Sequence, residues 1–564
     1  MKKNGKIVIY SVLPRLFDNK NISRIPNGSI KTNGCGKFSG FSHEALKAIR
    51  DFGVTHIWYV GVLQHASTTP YETENLGSDF SGIVKGKAGS PYAITDYYDV
   101  DADLADIPAD RMREFDELII RNHNLGLKVI IDFVPNHVAR QYKSKNKPPH
   151  VHDLGEYDNK EKAFDPQNNF YYLPGQTLTL TFGANEEDYL YSEFPAKVSG
   201  NDRFTAQVSE DDWYETVKLN YGVDYMDNKH TYFDPIPDTW HRMLEILQFW
   251  ASKGVDGFRC DMAEMVPVEF WRWCIPQIKS VYPVIFIAEI YQSLMYRSYI
   301  EAGFDFLYDK VGVYDTLRRI INKESPVFSF GQARALTADF TKHMLYFLEN
   351  HDEQRIASDF FAGNAGRGLP GVALAALCGK NPFMLYFAQE LGERAMDKEG
   401  FSGRDGRTTI FDYWSLDTMQ RWINEGKYNE DRLTTDERRV RRFYKKIFAD
   451  ICTEEAISFG DFYDLCPANM TNDSFRASRH YSFMRYWAGE IILVVCNFSN
   501  TQDKLSIIIP QEAFEAIGLK ENIPLRATDL FTGITAIDTL TYHAPYEIIV
   551  APYRVRVIKF SKQE

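Results

Sequence analysis

The sequence predicts an α/β protein: an eight-stranded parallel barrel with an inserted subdomain after the third strand and a C-terminal antiparallel β-sandwich. Three observations predict this fold. Apolar strand segments alternate with helical patterns until eight strands are counted, and eight such strands close into a (β/α)8 TIM barrel. About a hundred polar and aromatic residues interrupt the alternation after His137. Beyond about residue 456, the pattern changes to alternating strands.

The first part of the barrel, residues 1–137, is predicted to hold three strands and two helices. The strands are short apolar runs, and the helices carry apolar residues three and four positions apart. Gly53 separates the first helix from the second strand, as glycine commonly does at a helix end. In chain order, we predict a strand at 7–12, a helix at 41–52, a strand at 54–60, a helix at 111–124 and a strand at 128–134.

Residues 138–235 are predicted to form an inserted subdomain that is irregular or rich in β-structure. The segment is polar and rich in Asn, Asp and aromatic residues, and it breaks the rhythm of strands and helices. Because a structureless loop of this length is improbable in a compact domain, we expect it to have a structure of its own.

The barrel is predicted to resume over residues 236–455, and the β-sandwich is predicted to occupy residues 456–564. Asp238 is predicted to cap the helix that reopens the barrel. Apolar residues at 490–496 and 546–560 predict strands of the sandwich. The remaining barrel elements are predicted as a helix at 238–252, a strand ending at 261, strands at 284–289, 304–308, 344–352 and 382–387, and a helix at 436–450.

Charge and composition narrow the kind of partner that the chain can bind. Its 564 residues carry 64 basic and 77 acidic side chains, and the net charge of -13 argues against a nucleic-acid partner. No apolar run is long enough to span a membrane, so no membrane partner is predicted. We expect a cytoplasmic protein because no signal peptide is recognised, although a leader removed beforehand would overturn this expectation.

Polar and charged residues stand at the carboxyl end of four predicted barrel strands. In a barrel these strand ends converge on one mouth, which is where catalytic residues lie. Charges buried together without a function are costly, so the whole set is unusual for a purely structural role. The residues are Asp132, Asn136 and His137 after one strand, Arg259 and Asp261 at the next, Glu289 at the third, and His351 and Asp352 at the fourth.

Arg259 and Asp261 illustrate the chemistry that such a mouth supports. Side chains two apart on a strand share a face, and a carboxylate beside a fixed guanidinium stays ionised and oriented. Such a carboxylate can act as a nucleophile; the alternative is a structural ion pair at a strand end. Two carboxyl groups across a substrate suit glycoside hydrolysis. A separation of about 5–5.5 Å predicts retention of configuration, and about 6.5–9.5 Å predicts inversion.

Four short segments carry these residues in chain order: 132–137 (Asp-Phe-Val-Pro-Asn-His), 257–261 (Gly-Phe-Arg-Cys-Asp), 287–290 (Ile-Ala-Glu-Ile) and 349–352 (Glu-Asn-His-Asp). Together they resemble the four signature regions of the α-amylase superfamily, glycoside hydrolase family 13. The resemblance extends to the barrel, the insertion and the C-terminal sandwich. It implies a retaining enzyme that acts on α-glucosidic bonds.

The resemblance also implies roles for individual residues. Asp261 would be the nucleophile, Glu289 the general acid/base, and Asp352 the third acid, which binds and distorts the sugar. The implied substrate-binding residues are His137 and His351, which would hydrogen-bond the sugar hydroxyls; Tyr92, which would stack beneath the sugar; Arg259, which would orient Asp261; and Arg355, which would either line the same pocket or pair with an acid.

The chain departs from many α-amylases shortly after the nucleophile. Those enzymes carry a Lys and a His there, and the His carbonyl helps to bind calcium, whereas this chain has Glu264 and Met265. Asn136 matches a family calcium ligand, so it either holds calcium or only hydrogen-bonds a loop. No cofactor is predicted to be required. The segment 261–264 is nearer to the neopullulanase and maltogenic-amylase style than to secreted starch-liquefying enzymes.

We therefore predict a retaining glycosidase that cleaves α-1,4 bonds in starch-type oligosaccharides or polysaccharides, with an α-glucan or maltooligosaccharide as its partner. One alternative is an α-glucan transglycosylase, which would use the same residues but transfer the sugar to another hydroxyl. An alternative of another class is a non-catalytic member of the family that binds glucan. Relatives of that kind lose catalytic acids, and this chain keeps all three. The sequence predicts no oligomeric state.

Overall fold

The computed structural model describes residues 5–74, 76–180 and 191–562. Its centre is a closed barrel of eight parallel strands in the order β1-β8-β7-β6-β5-β4-β3-β2, which confirms the predicted fold. The strands are β1 (Val8–Val12), β2 (His56–Tyr59), β3 (Lys128–Phe133), β4 (Gly257–Cys260), β5 (Ile285–Ala288), β6 (Phe306–Tyr308), β7 (Met344–Phe347) and β8 (Phe383–Tyr386).

Six of the eight barrel strands end earlier than predicted, whereas β1 and β6 end at the predicted residue. β7, for example, ends at Phe347, although the prediction extended it to Asp352. The residues after Phe347 leave the sheet, so their polar side chains do not have to alternate between its two faces. The register of the barrel then aligns the strand ends, since Arg259 pairs with Asp132 on one side and with Ile287 on the other.

Helices pack around the barrel as the alternating pattern predicted. Predicted bounds and observed bounds agree for the helix Arg111–Asn124 and for the helix Asp238–Ser252. The larger helices are α1 (His43–Arg50), α2 (Arg111–Asn124), α3 (Asp238–Ser252), α4 (Val268–Lys279), α5 (Tyr296–Ala302), α6 (Asp315–Ile321), α7 (Ser329–Ala335), α8 (Ala365–Leu377), α9 (Asp417–Ile423) and α10 (Thr435–Lys445).

The predicted cap of α3 is wrong. Pro237 occupies the N-cap position and Asp238 is the first helical residue. The Asp238 carboxylate instead accepts hydrogen bonds from Arg242, one turn along the helix, and from Asn169 in the insertion. Asp238 therefore links the insertion to the barrel, and its charge still favours the first turn of the helix.

Short antiparallel pairs of strands make up the described part of the segment between β3 and α3. One pair matters for the site: Thr216–Lys218 pairs with His137–Ala139, so the end of the segment is tied to its beginning at the barrel mouth. The other pairs are Tyr172–Leu173 with Ala196–Lys197, Leu178–Thr179 with Ser192–Glu193, and Val223–Asp224 with His230–Thr231. The irregular, β-rich character agrees with the prediction, while the domain boundaries stay predictions.

The C-terminal region is antiparallel, as predicted. A six-stranded sheet in the order β9-β10-β11-β16-β13-β14 accompanies a two-stranded sheet of β12 and β15. The strands are β9 (Asp461–Asp464), β10 (His480–Trp487), β11 (Glu490–Asn497), β12 (Asp503–Ile507), β13 (Pro524–Asp529), β14 (Thr535–Thr539), β15 (Tyr546–Val550) and β16 (Val555–Lys562). Among the described residues, no helix has the length and apolar character needed to cross a membrane.

Candidate active site

A cavity of about 250 Å³ lies at the carboxyl ends of the barrel strands. The barrel contributes Asp261 and Glu289, and the insertion contributes Trp213, Glu215 and Thr216. Six of the residues predicted from the sequence line this cavity: Tyr92, His137, Asp261, Glu289, His351 and Asp352. Residues that lie more than two hundred positions apart in the chain therefore meet around one space of a size suited to a small ligand.

Arg259 joins two of the acids that line the cavity. Its Nη1 donates a hydrogen bond to Asp261 Oδ1 at 2.7 Å, and its Nη2 lies 3.0 Å from Glu289 Oε2. Its Nε donates to the Tyr308 hydroxyl at 3.2 Å. The side chain is fully buried and is not part of the described cavity wall. One planar guanidinium therefore fixes the two carboxyl groups relative to each other.

Aromatic rings hold this guanidinium in place. The rings of Trp58, Tyr92 and Tyr308 lie 5.2, 5.5 and 5.4 Å from its central carbon. Asp132 adds a further carboxylate 3.7 Å from Nη1, and the Gly61 amide donates to its other oxygen at 3.1 Å. Cation–π contacts and burial leave the guanidinium little freedom to move.

The site carries more negative than positive charge. Burial, followed by the neighbouring Glu289 carboxyl, raises the pKa of Asp261 well above its ordinary value, while Arg259 opposes the rise. Burial likewise raises the pKa of Asp132, again against Arg259. Because several carboxyl groups surround one buried cation, the cluster binds a proton more readily than isolated acids would.

The turn after β4 positions Glu289. Met262 adopts a left-handed conformation (φ 43°), which aims its backbone N–H at Glu289 Oε2 at 2.8 Å. The Ala263 N–H donates to the Glu289 carbonyl at 3.1 Å. The other carboxyl oxygen, Oε1, accepts a hydrogen bond from the Tyr291 hydroxyl at 2.6 Å. A non-glycine residue at positive φ is costly, which fits its place at a functional turn.

Asp352 is placed by a turn after β7. The Asn350 side chain accepts hydrogen bonds from the backbone N–H groups of Asp352 and Glu353, both at 2.9 Å. His351 Nε2 lies 2.9 Å from Asp352 Oδ2 and 2.8 Å from the Tyr92 hydroxyl, and the Tyr92 ring stacks on His351 at 5.3 Å. Unlike Asp261 and Glu289, Asp352 keeps 44% of its side chain exposed.

The charge states of these side chains follow from their surroundings. Partial burial alone would raise the pKa of Asp352, but His351 and Arg259 outweigh it and lower the pKa below its ordinary value. Burial, aided by the charge of Lys218, lowers the pKa of His137 to about 3, so its ring is neutral at neutral pH. A neutral imidazole can both donate and accept a hydrogen bond, as a sugar hydroxyl requires.

Arg355 is paired with an acid. Its Nη1 donates to Glu349 Oε2 at 2.9 Å and to the Phe387 carbonyl at 2.8 Å, and its Nε donates to the Thr408 hydroxyl at 2.9 Å. The side chain is fully buried and does not contribute to the described cavity wall. Of the two alternatives for Arg355, the geometry corresponds to pairing with an acid. A contact between Arg355 and substrate stays a prediction.

Residues 11–273 match the family model described as alpha amylase, catalytic domain. The chain therefore contains a region that is similar to an α-amylase catalytic domain. The match includes the first two of the four segments that suggested the resemblance, and the resemblance to the α-amylase superfamily is confirmed.

The curated relatives that this chain matches are distant in sequence. Alpha-amylase 3 of Dictyoglomus thermophilum is 24% identical over 323 residues, which is 53% of this chain and 53% of that protein. A cyclomaltodextrin glucanotransferase of Geobacillus stearothermophilus is 23% identical over 373 residues, which is 62% of this chain and 45% of that protein. The chain thus spans about half the length of the curated relatives that it matches.

The similarity to solved structures covers nearly the whole chain. The noncanonic maltogenic alpha-amylase AmyB of Thermotoga neapolitana has a TM-score of 0.63 at 19% identity, with 99% of each chain covered. A likeness at this identity shows the fold alone, so the predicted nearness to the neopullulanase and maltogenic-amylase style stays a prediction.

The calcium site of some α-amylases does not fit the residues around Asn136. Asn136 Oδ1 accepts a hydrogen bond from Lys218 Nζ at 2.8 Å, and Nδ2 donates to the Gly200 carbonyl at 2.8 Å. Lys218 Nζ also lies 2.6 Å from Asp202 Oδ1. Calcium takes six to eight oxygens at about 2.3–2.6 Å. The residues that the structure describes contain no cluster of His, Cys, Asp or Glu suited to a metal.

The cavity also contains residues that the sequence did not predict. Tyr291 follows Glu289 by two positions, beyond the end of β5 at Ala288, and its closeness to that acid in the chain was an available signal. Lys85 and Glu215 form an ion pair at 3.0 Å across the cavity wall. They come from the β2–β3 connection and from the insertion, and no periodicity in the sequence connects those segments.

Proposed function

We propose that this protein is a retaining glycoside hydrolase that cleaves α-1,4 bonds in starch-type oligosaccharides or polysaccharides. The observation that carries the proposal is the single Arg259 guanidinium that contacts both Asp261 and Glu289. Two carboxyl groups that share one guanidinium are close together, as the retaining mechanism requires. The activities printed for amylase relatives support the same substrate class.

In the first step, an oxygen of the Asp261 carboxylate attacks the anomeric carbon of the bound sugar. The bond from that carbon to the glycosidic oxygen breaks, and its electron pair stays on the oxygen. Glu289, in its acid form, gives its proton to this oxygen, and the shortened glucan leaves. The sugar remains covalently attached to Asp261.

In the second step, Glu289 acts as a base. It takes a proton from a water molecule, whose oxygen attacks the same carbon and displaces Asp261. The sugar leaves with its original configuration, because the carbon has been inverted twice. Asp261 returns to its ionised form and Glu289 to its acid form, so the cycle closes.

The other cavity residues have binding roles in this proposal. Tyr92 offers an apolar ring face beneath the sugar, and His137 and His351 offer hydrogen bonds to its hydroxyls. Asp352 is exposed enough to bind sugar hydroxyls directly. Arg259 acts on the substrate only through the carboxyl groups that it orients. No step involves a metal ion or a cofactor.

Transglycosylation is the second candidate, because a relative named as a cyclomaltodextrin glucanotransferase matches 62% of this chain. Both reactions share the first step and differ in whether water or a sugar hydroxyl attacks in the second. Incubation with maltotriose and an excess of acceptor sugar separates them, because dominant transfer products would favour the transferase.

Asp261→Asn tests the proposal. The variant should lose at least about 10⁴-fold in kcat on maltotriose, because an amide cannot form the glycosyl-enzyme, while its Tm stays near that of the wild type. Asp256→Asn is a matched control, since Asp256 precedes the same strand at its opposite end and pairs with Lys128. Normal turnover by Asp261→Asn would contradict the assigned role, and an inactive control would show that the loss is not specific.

A further inference from the structure

Tyr291 occupies a distinctive place beside the proposed acid. It lines the cavity together with Glu289 and Asp352. Its hydroxyl donates a short hydrogen bond, 2.6 Å, to Glu289 Oε1. Nothing in the reaction as described above uses this side chain.

The two oxygens of Glu289 have different surroundings. Oε2 faces the protein: it accepts from the Met262 N–H at 2.8 Å and lies 3.0 Å from buried Arg259. Oε1 has Tyr291 as its described hydrogen-bond partner, and Tyr291 belongs to the cavity wall. Oε1 is therefore the oxygen on the cavity side, from which a proton would reach a leaving group.

The segment that carries Tyr291 is itself anchored. Glu264 Oε2 accepts hydrogen bonds from the backbone N–H groups of Tyr291 at 3.0 Å and of Gln292 at 2.9 Å. Glu264 lies in the turn after β4, close to the nucleophile in the chain. Burial, with the Glu289 charge next, raises the pKa of Tyr291 far above neutral pH. The hydroxyl therefore remains a donor throughout the working range.

We propose that Tyr291, held by Glu264, is a positioning residue that aims Glu289 Oε1 at the leaving oxygen. This inference rests on the proposed function. In the first step, the carbon–oxygen bond of the substrate breaks, its electron pair goes to the leaving oxygen, and the Glu289 proton follows. Tyr291 keeps the carboxyl group in the plane and rotamer from which that transfer is direct, and it keeps its own proton.

A leaving group that needs no proton provides the test. α-Maltosyl fluoride releases fluoride, which takes the electron pair of the broken bond without protonation, whereas maltotriose requires the Glu289 proton. Tyr291→Phe should lower kcat/KM by about tenfold on maltotriose and by less than about twofold on the fluoride. The ratio kcat/KM is the right measure, because it reports the steps up to release of the leaving group.

Tyr299→Phe is a matched control. Its hydroxyl is also close to the turn after β4, where it donates to the carbonyls of Ala263 and Val266, both at 3.1 Å, but it is outside the described cavity wall. Loss of that hydroxyl should leave the ratio between the two substrates unchanged. Glu264→Ala, which releases the Tyr291 segment, should reproduce the selective loss to a smaller extent.

The outcomes are distinct. An equal loss on both substrates, or no loss on maltotriose, with Tyr291→Phe of normal Tm would overturn the positioning role. If Tyr291→Phe failed to fold, the Glu264→Ala ratio would decide in the same way. A wild-type protein that released product from neither substrate would instead refute the proposed function.

Discussion

Two buried clusters of arginine and carboxylate stand at the carboxyl end of the barrel, and they differ in charge balance. Arg259 contacts Asp261 and Glu289 and lies 3.7 Å from Asp132. Arg355 contacts a single acid, Glu349. Asp261 and Glu289 of the first cluster border the cavity, whereas Glu349 of the second cluster is enclosed by protein.

Under the proposed function, this difference separates a reactive cluster from a structural one. In the second cluster, Glu349 accepts from the Ile356 N–H at 2.7 Å as well as from Arg355, so both of its oxygens are bound. In the first, the excess of carboxyl groups leaves acids available to exchange a proton or attack a substrate. In both clusters the side chains are buried and paired. Only the first cluster has more carboxyl groups than cations and borders the cavity.

The largest expected effect is a difference in kcat between variants of the two clusters. Arg259→Gln should lower kcat on maltotriose by about 10³-fold, because Asp261 and Glu289 lose the group that fixes them relative to each other. Glu349→Gln, the corresponding change in the second cluster, should lower Tm but leave kcat within about threefold. Steady-state kinetics and thermal unfolding of both variants make the comparison, and equal losses of kcat would contradict the distinction.

The carboxyl group of the second cluster, Glu349, should make the free energy of unfolding depend on pH. Burial, opposed by Arg355, raises the pKa of Glu349 to about 7 in the folded protein, from an ordinary value of 4.5. Between these values the folded state holds a proton that the unfolded state has released. Rising pH therefore removes stability, by about 3 kcal/mol in total between pH 4.5 and 7.

Glu349→Gln removes this titration and tests the sign. The Tm of the wild type should fall relative to that of the variant as pH rises from about 5 to 8. A difference in Tm that stays constant over this range, or that changes in the opposite direction, would show that Glu349 is ionised in the folded protein throughout.

A smaller effect is expected at a third cation, Lys218. Its ammonium contacts Asn136 and Asp202. The junction of the insertion and the barrel should therefore need no calcium. EDTA should change the Tm of the wild type by less than about 1 °C. Lys218→Met should destabilise the protein by about 1–3 kcal/mol, because the buried Asn136 oxygen loses its donor. Thermal unfolding with and without EDTA or calcium measures both effects.

Lys229→Met provides the control for this junction. Lys229 and Lys218 lie against the same Tyr225 ring, at 5.7 and 5.2 Å, but Lys229 is exposed. Its replacement should leave Tm unchanged. A fall in the Tm of the wild type with EDTA that calcium reverses would contradict the prediction.

The barrel and its acids could be predicted because they leave local signals. Each buried strand is an apolar run, and Asp261 or Glu289 follows such a run directly, so parallel topology alone brings them to one end of the barrel. The ends of elements were less predictable. Asp238 has the chemistry of an N-cap, yet Pro237 takes that position while Asp238 bonds to Arg242 and to the insertion.

Other parts of the site depend on contacts that no local pattern encodes. The ion pair of Lys85 and Glu215 joins two irregular segments, and their meeting depends on how the insertion packs. The same holds for Lys218, whose position in the chain does not reveal that its ammonium reaches Asn136. The choice between the two alternatives for Arg355 likewise required the position of Glu349 in space.

The pairing of Thr216–Lys218 with His137–Ala139 means that the chain leaves the barrel and returns to it through adjacent positions. A segment attached in this way begins and ends at one place and does not interrupt the strands of the barrel. It nevertheless delivers Trp213 and Glu215 to the cavity wall, while the acids come from the barrel. Changes within this one segment can therefore alter part of the cavity wall while the barrel keeps its acids in place.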